Sequence, residues 1–199
     1  MTNDGFKRRA LLRFDFAAGI PAGSTINRVT LTLNVNRSGD NQTATMTLRP
    51  LSRDWGEGTV NCSLNRGGGQ GLPAAVGDAT WLAAKFQQVL WTTAGGDFGV
   101  VSGSASAPAA RGDSIWDSAV AGNAAMVSDV QNWLNSPLTN NGWIVVGDEA
   151  RSSTTRRFGS REGAVPRRQP HVRPACFTQK QNVRTLWRHD IREGSHRVL

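Results

Sequence analysis

"RVTLTLNVNRSGDNQTATMTLRPL", residues 28–51, places an apolar side chain at every second position on both sides of a polar turn. These apolar positions are Val29, Leu31, Leu33 and Val35 before the turn, and Ala44, Met46 and Leu48 after it. A period of two is typical of strands with one face buried and the other in water. Since the turn is rich in Gly, Asn and Asp, the sequence predicts two antiparallel strands that cover one side of a core.

The segment ahead of this pair alternates in the same way. In residues 10–16, one face carries Ala10, Leu12, Phe14 and Phe16, and the other carries Leu11, Arg13 and Asp15. Shorter apolar segments follow between residues 81 and 116, after a glycine-rich excursion over residues 52–80. Two further strands are predicted over residues 143–146 and around Phe158.

One segment has a helical period instead. In "AGNAAMVSDVQNWLNSP", residues 121–137, a single helical stripe carries Met126, Val127, Val130, Trp133 and Leu134. Pro137 ends the helix because proline has no backbone N–H to donate. The predicted fold class is therefore all-β, an antiparallel β-sandwich of jelly-roll type with one short helix; an up-and-down barrel is the alternative.

The charge of the chain is unevenly distributed. Residues 1–150 carry 11 Lys and Arg against 12 Asp and Glu, whereas residues 151–199 carry 12 against 3. The net charge of +8 therefore comes from residues 151–199, and it does not indicate a nucleic-acid-binding surface on the sandwich. From Val165 onward the sequence is rich in Pro and Arg and shows no period. We predict one domain over residues 1–163, and a basic tail, disordered or non-native, over residues 164–199.

Residues 1–150 contain no histidine, which is the commonest general base and metal ligand. The sequence also lacks a nucleophile elbow, a phosphate-binding loop and a zinc motif. No apolar run reaches membrane-spanning length, and the chain shows no signal-peptide hydrophobic region. We predict a protein that is not an enzyme, with no cofactor and no membrane span. The sequence leaves open whether Cys62 and Cys176 pair, and it leaves the oligomeric state open.

The candidate ligand-binding residues begin with Trp55, which lies between Asp54 and Glu57 in "RDWGEGT". One hypothesis is a sugar-stacking ring with adjacent carboxylates, whose oxygens are also ligands of the kind that calcium takes. The alternative is a buried Trp that closes the end of the sandwich. Because buried tryptophans with satisfied neighbours are common, the sequence favours the alternative, and no further feature supports calcium.

Three more tryptophans, Trp81, Trp91 and Trp116, lie in the glycine-rich middle of the chain, where aromatic side chains are expected to be partly exposed. An exposed Trp ring stacks on a sugar through dispersion and C–H contacts. If one of the three binds a glycan, we expect it to be Trp91 or Trp116. For each of the three taken singly, core packing is the favoured interpretation. Trp133 and Trp143 are predicted to be core residues.

Several segments, taken in order, resemble one family. They are "RRALLRFDFAAGIPAGSTINRVTLTLNV" (8–35), "TLRPLSRDWGEGT" (47–59), "GDATW" (77–81), "WTTAGGDF" (91–98), "VSDVQNWLNSPLTNNGWIVVGDE" (127–149) and "RRFGSRE" (156–162). Their order and spacing are similar to those of DNRLRE domains, which are bacterial extracellular β-sandwiches akin to carbohydrate-binding modules. The resemblance covers residues 5–163.

The resemblance implies a non-catalytic extracellular or cell-surface module, in some relatives associated with a PEP-CTERM sorting tail. Two functions remain open: binding of a polysaccharide or cell-surface glycan, and a structural or adhesive spacer without a small ligand. A fragment of a polysaccharide-active enzyme is a third hypothesis. Members carry a leader and further strands ahead of the "RRALLRF" segment, so the resemblance implies an incomplete start, with a sheet edge left unpaired, and a divergent or frameshifted end.

Overall fold

The computed structural model describes residues 1–3, 5–58 and 72–159, and the backbone alone of residues 171–174, 184–189 and 197–198. Within these residues the chain forms thirteen strands and one α-helix. The elements are β1 (Arg8–Arg13), β2 (Val29–Ser38), β3 (Ala44–Pro50), β4 (Leu72–Pro73), β5 (Ala83–Lys85), β6 (Val89–Leu90), β7 (Gly103–Ala107), β8 (Gly112–Asp117), α1 (Ala125–Asn135), β9 (Trp143–Val146), β10 (Arg156–Phe158), β11 (His171–Pro174), β12 (Arg184–His189) and β13 (Arg197–Val198).

The strands form two large antiparallel sheets and one small hairpin. The seven-stranded sheet has the order β4-β13-β12-β1-β9-β3-β7. In the four-stranded sheet, β2 pairs with β8 along one edge and with β10 and β11 along the other. Strands β5 and β6 pair only with each other among the described strands. The prediction of an all-β antiparallel fold with one short helix is confirmed, and the jelly-roll type stays a prediction.

The main core consists of inward-facing side chains from both sheets. The alternation in β2 holds throughout: Val29, Leu31, Leu33 and Val35 are fully buried, and the residues between them are only partly buried. In β3, Ala44, Met46 and Leu48 contribute to the same core. Burying one aliphatic side chain of this size stabilises a fold by about 1.5–3 kcal/mol. These period-two segments are therefore the main determinant of the sandwich.

Helix α1 lies against an aromatic cluster of the main core. Its buried residues are Met126, Val130, Trp133 and Leu134, as the helical period predicts. The Trp133 ring stacks on Phe16 at a centroid distance of 5.9 Å and meets the edge of Trp143 at 4.8 Å. The prediction that Trp133 and Trp143 are core residues is confirmed. No helix in the described part of the chain is long and apolar enough to cross a membrane.

The segment from residue 164 onward adds backbone strands to both sheets. Strand β11 pairs with the first half of β2, and β12 pairs with β1 along all six of its residues. Because β9 pairs with β1 on the other side, β1 is an interior strand, and the expected unpaired edge is absent there. The remaining residues of 164–199 lie outside the described ones. The predicted disorder of the tail and the domain boundary at residue 163 stay predictions.

A third layer covers the outer face of the seven-stranded sheet. Leu11 and Ile144 face away from the main core and lie opposite each other on β1 and β9. They are buried beneath residues 51–58 and 75–98, which we call the cap layer. The sequence places Leu11 on the polar face of its strand together with Arg13 and Asp15. In the structure that face is partly buried, because side chains of the cap layer pack against Leu11 and Ile144 and form a second hydrophobic core there.

Candidate functional site

The predicted site residues lie in or beside the two cores, beginning with Trp55 in the cap layer. Trp55 is 2% exposed, and its indole Nε1 donates a hydrogen bond of 2.8 Å to the carbonyl oxygen of Asn141. The Arg13 guanidinium lies 5.1 Å from the centre of the ring. Since a buried indole N–H needs an acceptor, this bond fixes the ring in place. Trp55 is therefore buried, as the structural alternative predicts, although it packs in the second core on the outer face of the seven-stranded sheet and not at the end of the sandwich.

Trp91 lies in the same second core. It is 6% exposed, and its Nε1 donates to the carbonyl oxygen of Thr80 at 2.9 Å. Trp91 and Thr80 both belong to the cap layer, so this hydrogen bond stabilises the cap layer internally. The ring contributes to the packing over Leu11 and Ile144 and offers no stacking face to solvent.

Trp116 belongs to the main core. It lies on β8, is fully buried, and donates from Nε1 to the carbonyl oxygen of Met46 at 3.1 Å. Its neighbour Ile115 points to the other face of the sheet and is 54% exposed. Trp91 and Trp116 are thus buried, as the favoured interpretation of core packing predicts, and not partly exposed as the glycan hypothesis requires, because in each case an internal carbonyl accepts from the indole while the ring fills a core.

The carboxylate of Asp54 is held between two cations. One oxygen, Oδ1, accepts from Arg13 Nη1 at 2.6 Å, and Oδ2 lies 2.7 Å from Lys85 Nζ. Partial burial acts to raise the pKa of Asp54, but the hydrogen bonds from Lys85 and Arg13 outweigh it and hold the pKa below its ordinary value. A carboxylate with these partners is ill-suited to act as a general acid.

Glu57, the second predicted carboxylate, is partly buried. Calcium takes six to eight oxygen ligands, usually with several carboxylates among them. Within the part of the chain that the structure describes, no group of three or more His, Cys, Asp or Glu side chains is placed to hold a metal ion. The calcium hypothesis gains no support from this geometry.

Sequence reasoning missed Arg9, a side chain that joins the cap layer to the seven-stranded sheet. Its Nε and Nη2 donate to the two carboxylate oxygens of Glu149 at 2.7 and 2.8 Å, and Nη1 donates to the carbonyl of Gly95 at 2.9 Å. The guanidinium also lies 4.8 Å from the centre of the Trp81 ring and 5.2 Å from that of Phe98. These contacts join residues that are distant in sequence, so the local sequence pattern does not reveal them.

Burial acts to raise the pKa of Glu149, but its hydrogen bonds with Arg9 outweigh burial and lower that pKa. Gly95 has a φ angle of 94°, and a Cβ there would lie 2.5 Å from Arg9 Nη1, so only glycine fits beside the guanidinium. Arg9 therefore makes a bidentate ion pair with Glu149 and stacks on aromatic rings, so its guanidinium is engaged within the protein.

A cavity of about 10 Å³ lies beside this arginine and is lined by Arg9, Leu11, Thr80, Trp81, Trp91 and Gly95. An arginine next to aromatic rings is a common arrangement for holding a sugar. This volume, however, is close to the smallest that accommodates a single water molecule. The cavity is too small to hold a sugar ring.

One carboxylate has a raised pKa, as a catalytic acid would. Burial raises the pKa of Asp129 on α1, and the hydrogen bond of 2.7 Å that it accepts from Trp143 Nε1 offsets part of this effect. No second carboxylate contributes to the shift among the described residues. Glycoside hydrolysis needs two carboxylates on either side of a substrate, and the raised pKa of Asp129 is explained by burial without such a partner among the described residues.

Comparison of the chain with protein-family models, with curated proteins and with solved structures finds no match. The resemblance to DNRLRE domains therefore stays a prediction from the motifs. The function has to be inferred from the contacts, burial and charges of the described residues.

Proposed function

We propose that this chain is a non-catalytic structural module, a folded spacer of a surface protein. The observation that carries the proposal is the burial of Trp55, Trp91 and Trp116. Each of these rings fills a core, and each indole N–H bonds an internal carbonyl. The aromatic residues that were candidates for sugar binding are used to build the third layer and the main core.

The polar groups around these rings support the same proposal. Arg9 is held by Glu149 and by a backbone carbonyl, and Asp54 is held by Arg13 and Lys85. The Arg13–Asp54 ion pair and the hydrogen bond from Arg9 to the Gly95 carbonyl connect the cap layer to the seven-stranded sheet. The absence of histidine from residues 1–150 and the isolation of Asp129 favour a role without catalysis. A location outside the cell follows from the resemblance to DNRLRE domains alone.

One observation favours a second candidate, which is carbohydrate binding through Trp81. This ring is partly exposed rather than buried, and it precedes Leu82, which is 48% exposed. An exposed aromatic edge next to an aliphatic side chain can contact a sugar without a pocket. Arg9 already stacks on the Trp81 ring, however, which leaves less of its surface for a ligand.

A polysaccharide screen separates the two candidates. We expect no saturable binding of the chain to neutral or acidic polysaccharides on a glycan array or in affinity electrophoresis. Trp81→Ala is the matched variant, because among the tryptophans whose side chains the structure describes Trp81 is the one that is partly exposed, and Trp81→Phe retains an aromatic ring. Saturable binding that Trp81→Ala abolishes and Trp81→Phe retains would overturn the spacer proposal in favour of a carbohydrate-binding module.

A further inference from the structure

Two arginines lie opposite each other on the outer face of the four-stranded sheet. Arg157 on β10 pairs in register with Arg37 on β2, and the register shifts between Arg157 and Phe158. The shift leaves Asn36 as the extra residue of a β-bulge, and its Oδ1 accepts a hydrogen bond of 2.6 Å from Arg157 Nε. The bulge therefore places Asn36 and Arg37 on the same side of the sheet as Arg157.

A third arginine approaches β2 from the opposite edge. Gly112 is the first residue of β8 and pairs with Val35, so the preceding residue, Arg111, enters the sheet beside Asn36. Arg37 and Arg111 are both exposed, and neither makes an ion pair with the part of the chain that the structure describes. We call Arg37, Arg111 and Arg157 the arginine row.

Two described carboxylates near the row have partners of their own. Asp113 accepts a hydrogen bond of 2.7 Å from Asn34 Nδ2, and Asp40 pairs with the buried Arg156 at 2.9 Å. The arginine row thus places three positive charges on neighbouring strands, with Asp113 as a described carboxylate on the same side of β8 as Arg111. Like charges on paired residues destabilise a sheet, so an anion bound at the row would offset the repulsion between Arg37 and Arg157.

The ionisation of Arg157 reflects this crowding. Burial lowers its pKa first, and the positive charges of Arg37 and Arg111 lower it further. Both neighbours are therefore close enough for their charges to act on the Arg157 guanidinium. An anion between the three groups would relieve the repulsion.

We propose that the arginine row is a binding site for a doubly charged oxyanion, a phosphate or sulfate group. Guanidinium groups bind such oxyanions through paired N–H donors, and two negative charges suit three cations with a carboxylate nearby. The inference goes beyond the proposed spacer function and does not depend on it. The oxyanion comes either from free phosphate or sulfate or from an ester group on a polymer.

The test measures thermal stability of the full chain in a buffer free of phosphate and sulfate. Inorganic sulfate or phosphate should raise the melting temperature more than potassium chloride at the same ionic strength, because general screening is then equal. Arg37→Gln and Arg111→Gln should each weaken the effect, with affinities lower by about tenfold or more. Both side chains are exposed, so neither variant removes core packing.

Arg28→Gln is the matched control, since Arg28 is an exposed arginine next to the same central strand and is already paired with Asp117. This variant should keep the full response to sulfate. In low salt, Arg37→Gln should also raise the melting temperature relative to the parent chain, because it removes one of the repelling charges.

A second experiment, a titration with polymers, identifies the source of the oxyanion. Dextran sulfate and neutral dextran are titrated into the parent chain and into Arg37→Gln. Binding of inorganic sulfate with no gain from the polymer assigns a free ion, and tighter binding of dextran sulfate that Arg37→Gln weakens assigns a polymer ester. If sulfate, phosphate and potassium chloride act equally, or if the variants respond like the parent chain, the proposal is overturned. Equal binding of dextran sulfate by parent and variant would place that binding elsewhere on the chain and also count against it.

Discussion

Replacing Asn123 by alanine removes the side chain that closes one edge of the sandwich. Asn123 is 2% exposed and lies between β8 and α1. Its Oδ1 accepts from the backbone N–H of Ser104 on β7 at 2.7 Å, and its Nδ2 donates to the carbonyls of Ser104 and Asp117, each at 3.1 Å. The amide thus pairs with β7 as a neighbouring strand would, and it ties β7 to β8, which belong to different sheets.

The expected loss of stability follows from these three bonds. A net hydrogen bond contributes about 1 kcal/mol, and an unpaired buried group costs more than an exposed one. Because Ser104 is itself exposed, water can replace part of the lost bonding there. We expect Asn123→Ala to lower the free energy of unfolding by about 3 kcal/mol, which is about 9 °C in melting temperature for a domain of this size.

The measurement is urea denaturation at neutral pH, with Asn132→Ala as the control. Asn132 is exposed on α1, so its replacement should change stability by less than about 0.5 kcal/mol. Asn123→Asp should destabilise the protein more at neutral than at acidic pH, because a carboxylate faces two carbonyl oxygens and only its protonated form can donate. A change below about 1 kcal/mol for Asn123→Ala would refute the reasoning, since water would then replace the amide at no cost.

Three further predictions concern buried polar groups. Arg156→Gln removes a guanidinium whose side chain is 0% exposed and which pairs with Asp40 at 2.9 Å, so urea denaturation should show a loss of about 3–5 kcal/mol, and a loss below about 1 kcal/mol would contradict this role. Trp116→Phe should lower stability by about 2 kcal/mol, because it shrinks a fully buried ring and leaves a carbonyl without its donor; an unchanged midpoint would contradict the packing. Burial raises the pKa of Asp129, so its contribution to stability is largest below the ordinary carboxyl pKa and is lost as pH rises through the raised value. Asp129→Asn should therefore be more stable than the parent chain at pH 7, with a smaller difference near pH 4, as measured by denaturation at both values; a difference independent of pH would contradict it.

The elements that the sequence predicts well are those whose pattern alone defines a buried face. Strands β2 and β3 alternate strictly, and α1 has an apolar stripe ended by proline, so their side chains can pack in only one way. Strand β7, "GSASA", was not predicted, because Gly, Ser and Ala have low strand propensity and no apolar alternation. Its position depends on pairing with β3 and on the amide of Asn123.

The site was predictable only in part, because a sequence pattern shows which residues are aromatic and not which surface covers them. Trp55 and Trp91 are buried by a cap layer that packs on Leu11 and Ile144, two residues on the outer face of the sheet. Nothing in the local pattern indicates that both faces of that sheet are covered. The arginine row is likewise not predictable from a local sequence pattern, since it depends on the register of three strands that are distant in sequence.

The most direct test of the observation that carries the spacer proposal, the burial of the candidate sugar-binding tryptophans, is their accessibility during a polysaccharide titration. In a Trp81→Phe, Trp187→Phe variant, emission comes from the remaining tryptophans, which are Trp55, Trp91, Trp116, Trp133 and Trp143. The burial of all five predicts blue-shifted emission, weak quenching by iodide and no change when polysaccharide is added. Red-shifted emission that iodide quenches and that a polysaccharide protects would contradict the proposal.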